Sequence, residues 1–244
     1  MKCCAYEKNY YYEEDYWWFV GRRIIILDMI KKYISKEKNK VFDYGCGTGI
    51  MMKYLSIFGE VWGGDISEIS LDYCKRRGLT NVVNLKKKLS IPDKYYDLIT
   101  VLDVLEHIDK DEDLLRKLRS YLNNDGILII TVLAYDFLWS GEDYVSGHKR
   151  RYTLKTLRQK IETNGFCIKR ISYFNSILLP LMILIIWVKK AFCSGNLYES
   201  NLRKLPALVN ISLTGIFMSE SKILKLFSFP FGASIICVAS KGQN

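Results

Sequence analysis

The chain is poor in the features that mark several common classes of protein. Only 4 prolines occur in 244 residues, and no repeat of the roughly 20–50-residue period that marks solenoids is visible. Its 49% hydrophobic and 25% charged content excludes a disordered or fibrous chain. The seven cysteines (Cys3, Cys4, Cys46, Cys74, Cys167, Cys193 and Cys237) include no CxxC pair. An odd number at irregular spacing argues against a zinc site or a disulfide framework and points to a reducing cytosol. The N-terminal MKCCAYEKNYYYEEDYWWF has no apolar core of the kind a secretory signal needs. Histidine is scarce: only His107 and His148 are present, so any imidazole base must be one of them.

Acid is missing from one long stretch. Between Lys149 and Lys204 twelve Lys or Arg face two acids, Glu162 and Glu199, and this segment carries the net charge of +10, the rest of the chain being nearly balanced. Concentrated positive charge suits an anionic partner, although a solvated charged face has the same composition. The same segment holds the longest uncharged run, Ile171 to Val188. Ser172, Asn175, Ser176 and Pro180 interrupt it, and its fully apolar part from Ile177 is short of the ~20 residues that a spanning helix needs. A short apolar helix with basic flanks fits a buried or interfacial element better.

Hydrophobic periodicity divides the chain into alternating elements. Arg22 to Lys38 reads as a helix, with Ile24, Leu27, Ile30 and Ile34 on one face. Strands are predicted at Val41–Asp43, Glu60–Asp65, Asn81–Leu85, Tyr96–Leu102 and Ile127–Val132, with Asp125-Gly126 a turn before the last. Helices are predicted at Ile50–Phe58, from the N-cap Ser67 to near Gly78, at Asp111–Leu122 and at Thr153–Asn164. Strand and helix in alternation imply βαβ units on a parallel sheet with helices on both faces. Phe166–Phe174 and Ser234–Ser240 read as late strands, separated by about 55 residues where a hairpin needs ~2–5. That intervening stretch is an insertion, and insertions of this kind tend to carry specificity. The organisation expected is a cap over residues 1–39, a core over 40–175, an apolar and basic helical insertion over 176–229, and a closing strand over 230–244.

The decisive run is VFDYGCGTG at residues 41–49. A glycine-rich turn after a first strand lets the backbone approach a ligand, and the following helix offers its N-terminus. Gly45, Gly47 and Gly49 give GxGxG rather than the nicotinamide GxGxxG, and a P-loop lysine is absent. Asp65, at the end of the second strand, stands where a carboxylate can accept both hydroxyls of a ribose.

DYGCGTG, GGDIS, YYDLITVLDVLEHI and LNNDGILIITV, in that order, resemble the successive motifs of class I S-adenosylmethionine-dependent methyltransferases. The flanks Trp17-Trp18-Phe19, Arg22-Arg23, His148-Lys149-Arg150-Arg151-Tyr152 and Pro230-Phe231-Gly232-Ala233-Ser234 are similar to a bacterial and archaeal branch of that family. The resemblance implies an α/β, Rossmann-like, doubly wound seven-stranded sheet of order 3-2-1-4-5-7-6, its last strand antiparallel. It implies S-adenosyl-L-methionine as cofactor. It implies that Gly45, Cys46, Gly47 and Gly49 cradle the methionine part, that Asp43 orients the loop and faces the amino group, that Asp65 binds ribose, that Ile66 packs on adenine, and that Leu102 and Asp103 line the transfer cleft. The sequence departs from many relatives at Leu85-Lys86-Lys87-Lys88-Leu89, where lysines stand in place of an acid that contacts adenine. Asp103, Glu106 and His107 resemble a DxxEH pattern that binds a divalent cation in some quinone O-methyltransferases, but the same letters occur in metal-free relatives, and no metal is expected.

Methyl transfer from a sulfonium is an in-line displacement in which the protein mainly positions the acceptor and excludes water. An oxygen or nitrogen acceptor often also needs a base. His148 is the first candidate, with Asp103 the second and Asp143 a further carboxylate of the cleft; alternatively, His148 joins Arg150 and Arg151 in holding an anionic substrate group. The aromatic N-terminal cluster is either a core-covering helix or a lid over the cofactor. LDVL stands where nucleic-acid base methyltransferases commonly carry [DN]PP[YF], so no nucleic-acid partner is expected. The basic, apolar insertion points instead to a small, glycan or lipid-linked acceptor, and to a cytoplasmic protein attached to the inner, anionic membrane surface. A catalytically silent, membrane-associated binding protein of the same fold is the alternative. Oligomeric state is not readable.

Overall fold

The computed structural model describes residues 3–34, 39–87, 93–192 and 202–242. In chain order these form α1 (Cys3–Tyr12), α2 (Trp17–Tyr33), β1 (Asn39–Tyr44), α3 (Ile50–Leu55), β2 (Gly59–Asp65), α4 (Glu68–Arg76), β3 (Val82–Asn84), β4 (Tyr96–Leu102), α5 (Asp111–Tyr121), β5 (Leu122–Leu133), α6 (Gly141–Ser146), α7 (Leu154–Thr163), β6 (Phe166–Phe174), α8 (Leu179–Phe192), α9 (Ala207–Leu224) and β7 (Ser234–Lys241). The strands make one sheet of order β3-β2-β1-β4-β5-β7-β6. All neighbours are parallel except β7, which runs antiparallel to both β5 and β6. This is the architecture expected from the sequence.

Neighbouring residues on each central strand point to opposite faces, so every strand buries both. Val41, Leu98, Ile129 and Ile236 meet Ile26 and Ile30 of α2, Leu55 of α3 and Phe217 of α9 on one side. Phe42, Ile99, Ile130 and Ile235, each one residue further along, meet Leu115 and Leu118 of α5 and Leu157 and Ile161 of α7 on the other. Local signals set the helix ends. Ser67 accepts a hydrogen bond from Ser70 N–H to cap α4, Thr153 and Thr156 form a capping box on α7, and Asp111, Glu112 and Asp113 fill the first turn of α5.

Several element ends differ from the sequence expectation, those of α2 and β5 most. α2 starts at Trp17 and closes at Tyr33, with Ile34 in extended backbone; burial of Trp17 and Trp18 against the core carries the helix back past the expected Arg22. β5 runs through Asp125 and Gly126 rather than starting after them, and its register against β4 shifts between Tyr96 and Leu98. The expected turn is thus an irregularity within the strand. Of the Leu85–Leu89 stretch, residues 88 and 89 lie outside the described residues, as does Cys193.

The insertion is anchored by its second helix. α9 lies along α2 closely enough that a Cβ on Gly21 would stand 2.2 Å from Phe217 Cδ1, so only glycine permits the approach. Trp17 N–H donates to Asn210 Oδ1 at 2.9 Å, and Asn210 Nδ2 donates to the Asp15 carbonyl at 2.8 Å. Glu220 of α9 is fully buried, and its Oε1 accepts from the Ser176 and Ile177 amides, each at 2.7 Å. Among the described residues no helix is long and apolar enough to cross a membrane.

Candidate active site

The C-terminal ends of β1, β2 and β4 converge on a cavity of about 620 Å³. Asp43, Gly45, Cys46, Gly47, Asp65, Ile66, Leu102, Asp103 and His148 all line it. The three glycines of the turn have φ of +77°, +56° and +88°, the left-handed region that side chains other than glycine's resist. Beyond that they differ. A Cβ on Gly45 would stand 2.4 Å from Val104 Cγ2, one on Gly49 would strike Leu79 Cδ1 at 2.6 Å and Cys74 Sγ at 2.9 Å, and one on Gly47 would meet nothing within 4 Å. Gly47 therefore opens onto free space, whereas Gly49 does not line the cavity; it packs the turn against α4. The sequence pattern could not separate these roles, because all three glycines share one backbone requirement.

Two carboxylates frame the turn. Asp65 accepts from Gly47 N–H at 3.1 Å through Oδ2 and from Ser67 N–H at 2.8 Å through Oδ1, leaving a further lone pair on each oxygen. Burial pushes its pKa up. Asp43 is almost fully buried, accepts from Thr100 Oγ1 at 2.7 Å, and is pushed up to about 6 by burial. Cys46 is also buried, its Sγ 4.0 Å from that of Cys74, and that contact together with burial raises its pKa.

The N-terminal segment covers the turn. Tyr6, Asn9 and Glu13, and then Tyr16 through Phe19, form part of the cavity wall. Arg77 holds this cover down: it pairs with Glu13 at 2.7 Å and Glu14 at 2.9 Å, and donates to the Tyr10 carbonyl at 2.9 Å and to the Thr48 carbonyl at 3.0 Å. Glu13 also accepts from the Thr48 hydroxyl. The aromatic run packs on the core and lines the cavity at once, through Trp17 and Trp18.

Arg22 was not assigned a role from the sequence, yet its guanidinium stacks 4.7 Å above the Trp18 ring and pairs with Asp103 Oδ2 inside the cavity. Asp103 Oδ1 accepts from Thr131 Oγ1 at 2.7 Å, so both of its oxygens are engaged. The available signal was Arg22 at i+4 from Trp18, one helical turn away on the same face.

On the opposite wall stands His148. Its Nδ1 is 2.9 Å from Asp143 Oδ1. Asp143 is fully buried; burial opposes its ionisation, but the hydrogen bonds from His148 and Arg151 win and hold its pKa well below the carboxylate range. An ionised carboxylate only accepts, which fixes Nδ1 as the ring's donor and leaves Nε2 as its basic nitrogen. Arg151 donates to Asp143 through Nε at 2.9 Å and Nη2 at 2.8 Å, and to the Ala134 carbonyl through Nη1 at 2.8 Å. Arg150 pairs with Asp111 at 3.3 Å. His107 lies beside His148, ring centroids 4.6 Å apart, and burial followed by that neighbour lowers it to about 4. Glu106 is buried, and burial with the nearby Asp103 pushes its pKa far up. Among the described residues no three His, Cys, Asp or Glu side chains converge as a cation site.

Residues 22–170 match the profile of the methyltransferase domain. The chain belongs to that family. It is 27% identical over 135 residues to a ubiquinone biosynthesis O-methyltransferase of Glaesserella parasuis, a match covering 46% of this chain and 57% of that relative. The methyltransferase therefore aligns with well under two thirds of the length of that curated relative. A SAM-dependent methyltransferase from Archaeoglobus fulgidus superposes with a TM-score of 0.55 at 22% identity, over 90% of this chain and 94% of that one. The plantazolicin methyltransferase BpumL, solved in complex with SAH, superposes with a TM-score of 0.61 at 16% identity, over 98% and 90%. S-adenosylmethionine is the cofactor named for the Archaeoglobus fulgidus structure, and the residues present here fit that group. Gly47 leaves the space a backbone-hugging ligand needs, Asp65 keeps lone pairs for two hydroxyls, Asp43 is a buried carboxylate suited to an ammonium, and Ile66, 57% exposed within the cavity, offers an apolar face to a base.

Proposed function

We propose that this methyltransferase O-methylates a small, glycan or lipid-linked acceptor at or near a membrane surface, with His148 as general base. The observation that carries the reading is the His148–Asp143 pair, standing in the same cavity as the glycine turn and Asp65. Bound S-adenosylmethionine supplies an electrophilic methyl group on a sulfonium, which is a very good leaving group. Asp65 takes the ribose hydroxyls, Gly45, Cys46 and Gly47 cradle the methionine part, Asp43 faces its ammonium, and Ile66 and Leu102 enclose the adenosine. Arg22, a cation of the cavity wall, would face the carboxylate end. The N-terminal cover excludes water.

His148 Nε2 accepts the acceptor hydroxyl's proton as the oxygen attacks, and Asp143 stabilises the imidazolium that results. Asp103 suits the base role less well, because Arg22 and Thr131 already occupy its oxygens. The reading of His148 with Arg150 and Arg151 as an anion site is less favoured, since Arg151 commits its charge to the buried Asp143 through two of its five N–H donors and a third to the Ala134 carbonyl. His107, lowered to about 4 by burial and by its neighbour His148, is neutral at pH 7 and adds no charge beside the base. The exposed apolar residues and basic ends of the insertion support a membrane-proximal acceptor.

The test is release of S-adenosylhomocysteine from purified protein offered hydroxyl acceptors of three kinds: polyprenyl-phosphate sugars, free glycans and hydroxylated quinone precursors. Stimulation by one of them that His148→Ala abolishes supports the reading. Turnover on an amine acceptor that is indifferent to His148 overturns it.

A further inference from the structure

α8 is apolar on two opposite faces. Leu179, Met182, Ile183 and Ile186, spaced i, i+3, i+4, i+7, pack inward with Leu138, Tyr135 and Ala233. Leu181, Leu184, Ile185 and Val188 repeat that spacing on the outer face, and all are exposed, as is the adjoining Trp187 at 67%. An amphipathic surface helix presents charge to water; this one presents a second apolar stripe, larger in character than the isolated apolar residues ordinary surfaces carry.

The charge that α8 itself carries has one sign. α8 contains no acid and ends on Lys189 and Lys190. Arg203 and Lys204 precede α9, and Lys222 lies in its last turn. The single acid on α9, Glu220, is turned inward and buried. At ~1.5 Å per residue, fourteen residues reach about 21 Å, short of the ~30 Å hydrocarbon layer. Apolar stripe, terminal lysines and an exposed tryptophan are the recognition elements of a helix lying in a lipid interface.

We infer that the outer face of α8 seats flat on an anionic phospholipid surface. This deepens the reading of a membrane-proximal acceptor and rests on it for its meaning, though its test does not. Leu181, Leu184, Ile185, Trp187 and Val188 enter the acyl boundary, and Lys189 and Lys190 meet headgroup phosphates. The same helix supplies Met182 to the wall of the catalytic cavity, one residue from the exposed Leu181. The docking helix is thus also a cavity wall, so the substrate class is an acceptor bearing an apolar anchor, reached from the bilayer side.

The experiment is flotation of the full chain with vesicles of phosphatidylcholine alone or mixed equally with phosphatidylglycerol, at low and high salt. Binding at least ~10-fold stronger to the anionic vesicles, weakened several-fold by salt, is expected. Leu184→Glu and Trp187→Glu should each abolish it, and Lys190→Glu should weaken it, while S-adenosylmethionine affinity by calorimetry stays unchanged in all three. Both apolar positions are exposed, so retained cofactor binding certifies the fold, and Trp187→Ser serves as a milder second variant. Variants that keep cofactor affinity and still float overturn the inference, as does wild-type binding blind to lipid charge. A wild-type dimer that does not float and that Leu184→Glu converts to monomer also overturns it, assigning the stripe to a second copy. Normal flotation with no methyl transfer to any hydroxyl acceptor would leave the docking face standing and remove the proposed reaction.

Discussion

His148 Nδ1 lies 2.9 Å from Asp143 Oδ1, and the other oxygen of that buried carboxylate is held by Arg151 at 2.8 Å. A hydrogen-bonded carboxylate behind an imidazole fixes both the ring's tautomer and its aim. The base therefore depends on a residue that does not itself line the cavity. His148→Ala should lower kcat by ~10²–10⁴ with cofactor affinity intact. Asp143→Asn should lower kcat as well, because an amide NH2 turned towards Nδ1 selects the wrong tautomer. A KM rise with unchanged kcat in His148→Ala would assign the residue to substrate binding instead.

Asp65→Ala should weaken S-adenosylmethionine binding by roughly 10–150-fold, the worth of a charge-assisted hydrogen-bonded pair of ~1.5–3 kcal/mol. Titration calorimetry on the folded variant measures it, and unchanged affinity would remove Asp65 from the ribose site.

Asp43 is pushed up to about 6 by burial, and the sign of its linkage follows. Its folded pKa lies above the unfolded value of ~3.9, so the folded state holds the proton more tightly between about 4 and 6. That contribution favours folding at low pH, fades as pH rises through about 6, and becomes a cost of a few kcal/mol at most at neutral pH without cofactor. Asp43→Asn should therefore raise the apo-protein's melting temperature at pH 7 and have little effect near pH 4. In the parent chain, cofactor affinity should fall as pH drops below about 6, because the ammonium loses its counter-charge. A flat affinity profile between pH 5 and 8 would show that Asp43 does not face the cation.

Gly47→Ala and Gly49→Ala should separate cleanly. Both force a side chain into left-handed backbone at about 1–2 kcal/mol, but only Gly49→Ala also drives a methyl into Leu79 and Cys74, adding typically ~1–3 kcal/mol. For a chain of this size each kcal/mol is worth ~2–4 °C of melting temperature. Gly47→Ala should melt a few degrees low and bind cofactor poorly. Gly49→Ala should melt lower still, its cofactor loss following stability. Equal effects on both properties would contradict the division of roles.

Most of the framework was legible because strand-length apolar-rich segments alternate with amphipathic helices. Tyr96–Leu102 and Phe166–Phe174 match their strands at both ends. Legibility failed where a local signal competed with a tertiary one. Asp125-Gly126 carries turn chemistry, yet β5 passes through it because its neighbour β4 continues the ladder at Tyr96. In the site, the sequence offers Asp143 as a cleft carboxylate beside Asp103, but not its role. It is buried behind His148 rather than in the cavity wall, a placement that the fold of the loop decides and the sequence does not show. Arg22 was legible only as part of a motif, since the carboxylate it pairs with, Asp103, is remote in sequence.

Gly21 and Phe217 sit near opposite ends of the chain and fill one another's space. What reads along the sequence as a removable insertion is therefore a structural debt of the N-terminal helix. Cutting out residues 176–229 would strip Phe217 from beside Gly21 and leave Trp17 N–H without Asn210, so the shortened chain would not be a minimal enzyme but an opened one.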